Sequence, residues 1–202
     1  MSRPKRLQRA PTVEQLQSEL DRVRRQKRFR KSVCRTIAAL ALIGAAAAAM
    51  AVLTPVLKVH GTSMAPTLQE GDVLVALRGL PCAAGDIAAF SFEDRVLVKR
   101  IAAGAGDVVD IQEDGAVVVN GQKRSESYVR EQNPGTMDID LPCRVPTDCW
   151  FVLGDNRAVS IDSRSSVVGC LSQEQMIGKI VLRIWPPERF GLLLGDTDVR
   201  EE

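Results

Sequence analysis

The chain contains a run of 22 residues without a single charge, from Thr36 to Leu57. A helix of this length rises about 33 Å, which is enough to cross the hydrocarbon core of a bilayer. A buried helix of a soluble protein and a cleaved signal peptide are the competing interpretations. The apolar region of a signal peptide usually has about 7–15 residues and lies nearer the start, whereas 35 residues precede this run. We therefore predict a transmembrane helix over residues 36–57.

Charge is divided unevenly on the two sides of this run. Residues 1–36 hold twelve Lys or Arg and three Asp or Glu, a net charge of +9, whereas residues 58–202 hold fifteen and twenty-two, a net charge of −7. Positive charge flanks membrane spans on the cytoplasmic side. We expect a single-pass protein of the cell membrane with residues 1–35 in the cytoplasm and the remainder outside.

The basic segment 1–35 contains a short helical pattern over residues 12–31. Apolar residues recur at helical spacing along it: Val13, Leu16, Leu20 and Val23. This seam is compatible with a short coiled-coil contact, but also with a solvated basic helix beside anionic lipid headgroups. The sequence leaves both interpretations open.

After Lys58 the chain changes to short apolar and β-branched segments separated by turn signals such as Gly71-Asp72 and Asp114-Gly115. The predicted strands are 73–77, 87–92, 95–101, 108–111, 116–119, 149–153 and 178–185. Residues 122–140 are polar and contain Asn133-Pro134-Gly135, so we predict a surface loop there. The fold class is therefore mainly β, with one domain over 58–190 and a tail over 191–202.

The chain has five cysteines and one histidine. Four of the cysteines lie on the predicted outer side, where disulfides persist. A disulfide between Cys143 and Cys149 would close the turn 145–148, although four cysteines allow three ways of pairing. The cysteine spacing shows no zinc pattern, and a single histidine excludes a His-rich metal site. We expect no metal and no cofactor.

The single histidine also limits the hydrolytic chemistry. His60 lies three residues before Ser63 in a segment predicted to be extended, where residues three apart point to opposite faces. A Ser-His-Asp triad is therefore not expected, and the paired-aspartate, His-Glu-x-x-His and Cys-His signatures do not occur. Among protease types, a Ser–Lys dyad remains.

Ser63 lies in the turn sequence GTSMAPTL, residues 61–68. Gly61 permits close backbone approach and Pro66 prevents a helix from running back through the turn. Such a turn can expose a hydroxyl beside free backbone N–H groups, as an oxyanion hole requires. Taken alone, however, most serines in such turns are only turn residues.

Lys99 lies in a predicted strand, in the sequence VLVKRI over 96–101. If Leu97 and Ile101 point inward, Lys99 does so too, and burial lowers the pKa of a lysine. A neutral amine can accept the proton of a serine hydroxyl. If Val96 and Val98 face the core instead, Lys99 extends into solvent. The strand pattern favours neither orientation.

The third segment is a dense polar run, GDNRAVSIDSR, over residues 154–164. It follows a predicted apolar strand and contains two aspartates and two arginines. It is compatible with a charged loop or an Asp-rich cation site. Alternatively, Asp155 and Asp162 clamp Arg164 and make the loop rigid.

Together these segments resemble the type I signal peptidases, membrane-bound Ser–Lys proteases that remove signal peptides from exported proteins. The resemblance covers roughly residues 36–190. It keeps the order of the family: a span, Ser-Met-x-Pro-Thr-Leu at 63–68, Gly-Asp at 71–72, Lys-Arg at 99–100 and Gly-Asp-Asn-x-x-x-Ser-x-Asp-Ser-Arg at 154–164. Residues 178–186 resemble the closing strand, and the short 122–140 loop implies a compact, Gram-positive-like member.

The resemblance implies a role for each matching residue. Ser63 would be the acylated nucleophile, Lys99 the general base and Ser160 the serine that orients the lysine. The ion-pair residues would be structural: Asp155, Asp162 and Arg164. Some members place a second oxyanion donor two residues before the nucleophile, but this position is Gly61 here, which leaves that donor unassigned.

The resemblance also implies the substrate. Small residues at the −1 and −3 positions, as in Ala-x-Ala, would enter pockets lined by apolar side chains: Leu57, Val59, Met64, Leu68, Leu74, Leu97 and Val98. The expected partners are signal peptides of exported preproteins and the lipid bilayer, with no nucleic acid. A self-cleaving repressor-type protease shares the Ser–Lys chemistry, but such proteins are soluble. A dedicated processor of pilus components and an inactive membrane scaffold are further alternatives.

Overall fold

The computed structural model describes residues 13–193 and residue 195. The chain divides into two compact units, Met1–Met50 and Ala51–Glu202. The first twelve residues of the predicted basic segment and the end of the predicted tail lie outside the described residues.

One helix, α1, runs from Val13 to Leu53. The predicted basic helix and the predicted apolar span are therefore parts of a single helix, and its described side chains are exposed. The stretch Gln17–Leu53 is long and apolar enough to cross a membrane, judged by length and composition. The helix ends before Leu57, the predicted end of the span, because Pro55 disfavours helical backbone in front of it.

The described residues form twelve strands. In chain order they are β1 (Val56–Lys58), β2 (Val73–Leu77), β3 (Ile87–Phe92), β4 (Arg95–Ala103), β5 (Val108–Ile111), β6 (Val117–Val119), β7 (Gln122–Lys123), β8 (Cys143–Arg144), β9 (Cys149–Leu153), β10 (Leu171–Ser172), β11 (Met176–Trp185) and β12 (Gly191–Leu192). Two short 3₁₀ helices flank β11, at Gln173–Gln175 and Pro187–Arg189. The prediction of a mainly β fold is confirmed.

The strands form two antiparallel sheets. The large sheet has the order β1-β2-β11-β3-β4-β9-β10, with β12 paired to β11, and the small sheet has the order β7-β6-β5-β8. Four predicted strands have the bounds that the structure gives: β2, β3, β5 and β9. Strand β4 continues to Ala103, and β12 extends the sheet into the predicted tail.

Three clusters of buried apolar side chains form the core of this unit. The first lies beneath the turn that carries Ser63 and includes Met64, Leu68 and Leu74. The second joins the small sheet to β9 through residues such as Val109 and Phe151. The third lies on the side of β4 that carries Ile101. Strand β4 is thus covered on both faces where Lys99 and Arg100 lie.

The cysteines do not form a bridge in this structure, which has all five as free thiols. Cys143, Cys149 and Cys170 pack against the same core cluster. The disulfide between Cys143 and Cys149 stays a prediction, and Cys170 is a second candidate partner because it joins the same cluster.

Candidate active site

Ser63 lies on a turn whose neighbouring apolar side chains are buried in the core. The neighbouring Met64 is 2% exposed and Leu68 is completely buried, both in the first core cluster. Ser63 itself is half-buried, and His60 is exposed. Among the described residues, none accepts a hydrogen bond from the backbone N–H of Ser63. The turn therefore leaves Ser63 partly exposed, with a backbone N–H that has no hydrogen-bond acceptor among the described residues.

Lys99 lies inside the protein, near the middle of β4, with only 3% of its surface exposed. Its neighbour Leu97 is half-buried on the same strand face, whereas Val96 is 48% exposed. The inward orientation is therefore the observed one. The Nζ atom of Lys99 donates a hydrogen bond of 2.8 Å to the Oγ atom of Ser160.

Burial changes the acid–base chemistry of Lys99. Removal from water disfavours the ammonium form, and this lowers the pKa of Lys99 to about 8. The nearby charges partly cancel, since Asp162 and Asp155 raise the pKa and Arg164 lowers it. A lysine with this pKa is partly neutral at neutral to mildly alkaline pH and can accept a proton.

A path of hydrogen bonds joins the Ser63 turn to Lys99 through the loop 154–164, which we call the catalytic loop. The backbone N–H of Asn156 donates to the carbonyl oxygen of Ser63 at 3.0 Å, and the N–H of Ser160 donates to the carbonyl oxygen of Asn156 at 3.1 Å. The bond from Lys99 to Ser160 completes the path. The loop thus positions the serine segment and the lysine relative to each other.

Gly154 lies between Ser160 and the backbone of Ser63. A Cβ atom at this position would overlap the Oγ atom of Ser160 and would lie 2.5 Å from the carbonyl oxygen of Ser63. Only glycine fits between them, because real Cβ atoms essentially never come this close to other atoms. The close approach of the Ser63 segment and Ser160 therefore requires this glycine.

The buried ion pairs of the loop differ from the predicted clamp on Arg164. Asp162 accepts hydrogen bonds from the Nε and Nη2 atoms of Arg164 at 2.8 and 2.9 Å, and it also accepts one from the N–H of Gly154 at 2.9 Å. Burial raises the pKa of Asp162, but the hydrogen bond and charge of Arg164, together with hydrogen bonds from Gly154 and Ser160, outweigh it, so that the pKa lies below its usual value.

Asp155 pairs with a different arginine, Arg100 of β4. The Nε and Nη2 atoms of Arg100 donate to the two carboxylate oxygens of Asp155 at 2.9 and 2.7 Å, and the hydroxyl of Thr67 donates to it at 2.5 Å. The interpretation that both aspartates clamp Arg164 was therefore wrong for Asp155. The sequence identifies Arg100 only as the residue after Lys99. Strand alternation does not indicate which carboxylate it binds.

A third buried pair joins Arg157 of the catalytic loop to Glu126, at 2.5 Å. This pair was not predicted, because Glu126 lies in the segment predicted to be a surface loop. Among the described residues, no three His, Cys, Asp or Glu side chains come together as a metal site requires. The buried carboxylates Asp155, Asp162 and Glu126 each bind an arginine instead.

The side chains predicted to line substrate pockets do not all pack together. Val59, Met64, Leu68 and Leu74 are buried in the first core cluster, and Leu57 and Val98 pack against it. Leu97 packs against the third cluster instead. The four predicted pocket residues buried in the first cluster are each 6% exposed or less. Of the seven predicted pocket residues, only the half-buried Leu57, Leu97 and Val98 have substantial exposed surface.

Comparison with known proteins identifies similar chains. A family model described as "Signal peptidase, peptidase S26" matches residues 30–185. The protein named "Signal peptidase I P" of Bacillus subtilis subsp. natto is 32% identical over 144 residues, which make up 65% of this chain and 77% of that protein. "Signal peptidase IB" of Staphylococcus aureus is 33% identical over 152 residues, covering 65% and 78%.

A solved structure of a signal peptidase I from Enterococcus faecalis V583 is 27% identical. It aligns with 50% of this chain and 97% of its own, with a TM-score of 0.43.

Proposed function

We propose that this chain, which belongs to the signal peptidase family, peptidase S26, cleaves signal peptides from exported preproteins with Ser63 as nucleophile and Lys99 as general base. Members of this family are peptidases. The observation that carries the proposed roles is Lys99, a buried lysine with a lowered pKa that donates to the hydroxyl of Ser160.

The proposed first step is acylation. Lys99 in its neutral form accepts the proton of the Ser63 hydroxyl while the Ser63 Oγ atom attacks the carbonyl carbon of the scissile bond. The backbone N–H of Ser63 donates to the oxyanion that develops, since it has no other partner among the described residues. Lys99 then gives the proton to the departing amine, and the amide bond breaks to leave an ester on Ser63.

The proposed second step is hydrolysis of this ester. Lys99 accepts a proton from a water molecule, the resulting hydroxide attacks the ester carbonyl, and the proton returns to the Ser63 oxygen as it leaves. Ser160 keeps the amine of Lys99 in position in both steps through its hydrogen bond. The ion pairs of Asp155, Asp162 and Arg164 hold the catalytic loop and take no part in proton transfer.

Specificity and location complete the proposal. Small side chains at −1 and −3, as in Ala-x-Ala, would contact Leu57, Leu97 and Val98, with the buried Val59, Met64, Leu68 and Leu74 behind them. The N-terminal helix would anchor the protein in the cell membrane with the basic segment in the cytoplasm. The cleavage point of a signal peptide, whose apolar core lies in the bilayer, would then emerge beside the catalytic domain.

The test is cleavage of a preprotein by the full-length chain in detergent, compared with Ser63→Ala. We expect the wild-type chain to cut once, after an Ala-x-Ala sequence, as mapped by mass spectrometry of both fragments. Ser63→Ala should show no cleavage above the rate without enzyme. Retained cleavage by Ser63→Ala would exclude Ser63 as the nucleophile, and a cut elsewhere in the preprotein would exclude the proposed specificity.

A further inference from the structure

The segment 124–138, which we call the strap, packs against the catalytic loop. It contains no helix and no strand, yet it contacts the loop 154–164 or the residues just after it at three points. These are the ion pair between Glu126 and Arg157, the bond from Arg164 to the carbonyl oxygen of Pro134 at 2.8 Å, and the bond from the Ser166 hydroxyl to Asp138 at 2.8 Å. The strap is therefore more than a solvent-facing connection.

The strongest of these contacts is fully removed from water. The side chain of Glu126 is 3% exposed and that of Arg157 is 2% exposed. The Nε atom of the same arginine donates to the carbonyl oxygen of Gly154 at 3.1 Å. Glu126 is thus connected through Arg157 to Gly154, the glycine that lies between the Ser63 segment and Ser160.

Tyr128 makes a second connection from the strap. Its hydroxyl donates to the Oε1 atom of Glu126 at 3.1 Å, and its ring covers the guanidinium of Arg100, whose carbon lies 3.8 Å from the ring centre. Arg100 in turn holds Asp155, the residue after Gly154. A cation over an aromatic face is stabilised most where water is excluded, and Arg100 is 4% exposed.

We infer that Glu126 and Tyr128 are positioning residues for the Ser63–Lys99 dyad: through Arg157 and Arg100 they fix Gly154 and Asp155, and with them the place of Ser160. Neither residue touches a reacting atom. The inference rests on the proposed function, because it concerns the geometry of that reaction.

The physical reason is the cost of a buried charge that loses its partner. Without the Glu126 carboxylate, Arg157 is a buried cation that must move toward water. Such a movement pulls on the Gly154 carbonyl and loosens the contact between Ser160 and Lys99. Looser packing admits water to Lys99, and its pKa rises toward the ordinary value, since burial is the main cause of its lowering.

A direct electrostatic effect of Glu126 does not explain such a rise. The charged groups that act most on Lys99 are Asp162, Arg164 and Asp155. Removing the negative charge of Glu126 would by itself lower the pKa of a nearby lysine. An upward movement therefore reports on the position of the loop.

The test compares Glu126→Gln with Glu113→Gln in the full-length chain. Both changes remove one carboxylate, but Glu113 is exposed in the turn between β5 and β6. Preprotein cleavage is measured from pH 6 to 10, with circular dichroism to give the folded fraction. For Glu126→Gln we expect kcat per folded enzyme to fall about tenfold or more, KM to change less than twofold, and the acid limb to move to higher pH. Glu113→Gln should match the wild type.

Tyr128 supplies a second pair of variants. Tyr128→Phe keeps the ring over Arg100 and removes only the hydrogen bond to Glu126, whereas Tyr128→Leu also removes the aromatic face. We expect the loss of kcat to be larger for Tyr128→Leu. Tyr128→Phe also provides the test if Glu126→Gln does not fold, since it leaves the ion pair in place.

The following outcomes would contradict the positioning role or the proposed function. If kcat and the acid limb of Glu126→Gln equal those of Glu113→Gln, the inference is wrong. If only the folded fraction falls, the strap is structural and the inference is also wrong. Ser63→Ala in the same assay distinguishes the two proposals. Cleavage by Ser63→Ala would contradict the proposed function itself. An inactive Ser63→Ala together with a normal Glu126→Gln would contradict only the positioning role.

Discussion

Among the described residues, four buried cations lie in or beside the catalytic loop, and they fall into two groups. Arg100, Arg157 and Arg164 each bind a carboxylate at 2.9 Å or less, namely Asp155, Glu126 and Asp162. Lys99 is buried to the same degree but binds the neutral hydroxyl of Ser160, and among the described residues it has no ion pair.

The two groups of cations differ in what they can do. An arginine keeps its proton in proteins, so a carboxylate partner makes it a permanent cross-link. A lysine that is buried without such a partner lowers the cost of burial by losing its proton. The three arginines therefore hold the loop, while Lys99 is the cation that can become a base.

The largest effect should come from Lys99→Met, which removes the amine and keeps an unbranched side chain. Preprotein cleavage should fall by about 10²–10⁴-fold or to background, as expected for loss of a general base. The free energy of unfolding should stay the same or rise, because no cation remains to be buried without a carboxylate. A marked loss of stability in denaturant unfolding would show that Lys99 stabilises the fold as the arginines do. It would contradict the distinction between Lys99 and the three arginines.

Asp155→Asn tests the other group. It leaves Arg100 buried opposite a neutral amide, and we expect the free energy of unfolding to fall by about 3–5 kcal/mol. Asp114→Asn is the matched control, because Asp114 pairs with Lys123 where both side chains are more than half exposed, and it should show no measurable loss. Equal stability of the two variants in denaturant unfolding would mean that the buried pair is not a cross-link.

The pH dependence follows from the lowered pKa of Lys99. In the proposed mechanism the active form is the neutral amine, which is populated above a pKa of about 8, so kcat/KM should rise with pH through this value. Half of the lysines are neutral at pH 8 and about one in a hundred at pH 6, so the rate should differ about fiftyfold. An acid limb near the ordinary value of 10.5, or a rate that is flat from pH 6 to 9, would disagree with a buried lysine base.

Ser160→Ala should have the smallest effect of these changes. It removes the hydrogen bond that orients the amine and leaves the amine itself in place, so kcat should fall about tenfold, the value of one hydrogen bond. Ser91→Ala, at an exposed position of β3, is the control for loss of a hydroxyl. An effect as large as that of Lys99→Met would make Ser160 a direct participant in proton transfer.

The sequence predicted seven of the twelve strands and the candidate dyad, but not the orientation of Lys99. Strand alternation assumes one buried face and one exposed face. In β4 both Lys99 and its neighbour Arg100 are buried, at 3% and 4% exposure, because the strand is covered on both sides at that point. The alternation pattern therefore carries no information there, and only the motif around Lys99 marks it as a candidate base.

The strap escaped prediction for a different reason. Glu126 and Arg157 are 31 residues apart, and no periodic pattern links them. A polar loop rich in turn residues has the same composition whether it faces water or covers a buried arginine. The pairing depends on the path of the chain in three dimensions, as does the choice of Arg100 rather than Arg164 as the partner of Asp155.

Gly154 sets a limit on how this protein can change. Most positions near a reactive group allow graded adjustment, in which a larger or smaller side chain shifts rate and stability by small steps. At Gly154 the smallest possible addition, one methyl group, already meets the backbone oxygen of Ser63 at 2.5 Å and overlaps Ser160. Any side chain at this position would have to displace the Ser63 segment and Ser160, so sequence changes that preserve this arrangement must occur at other positions.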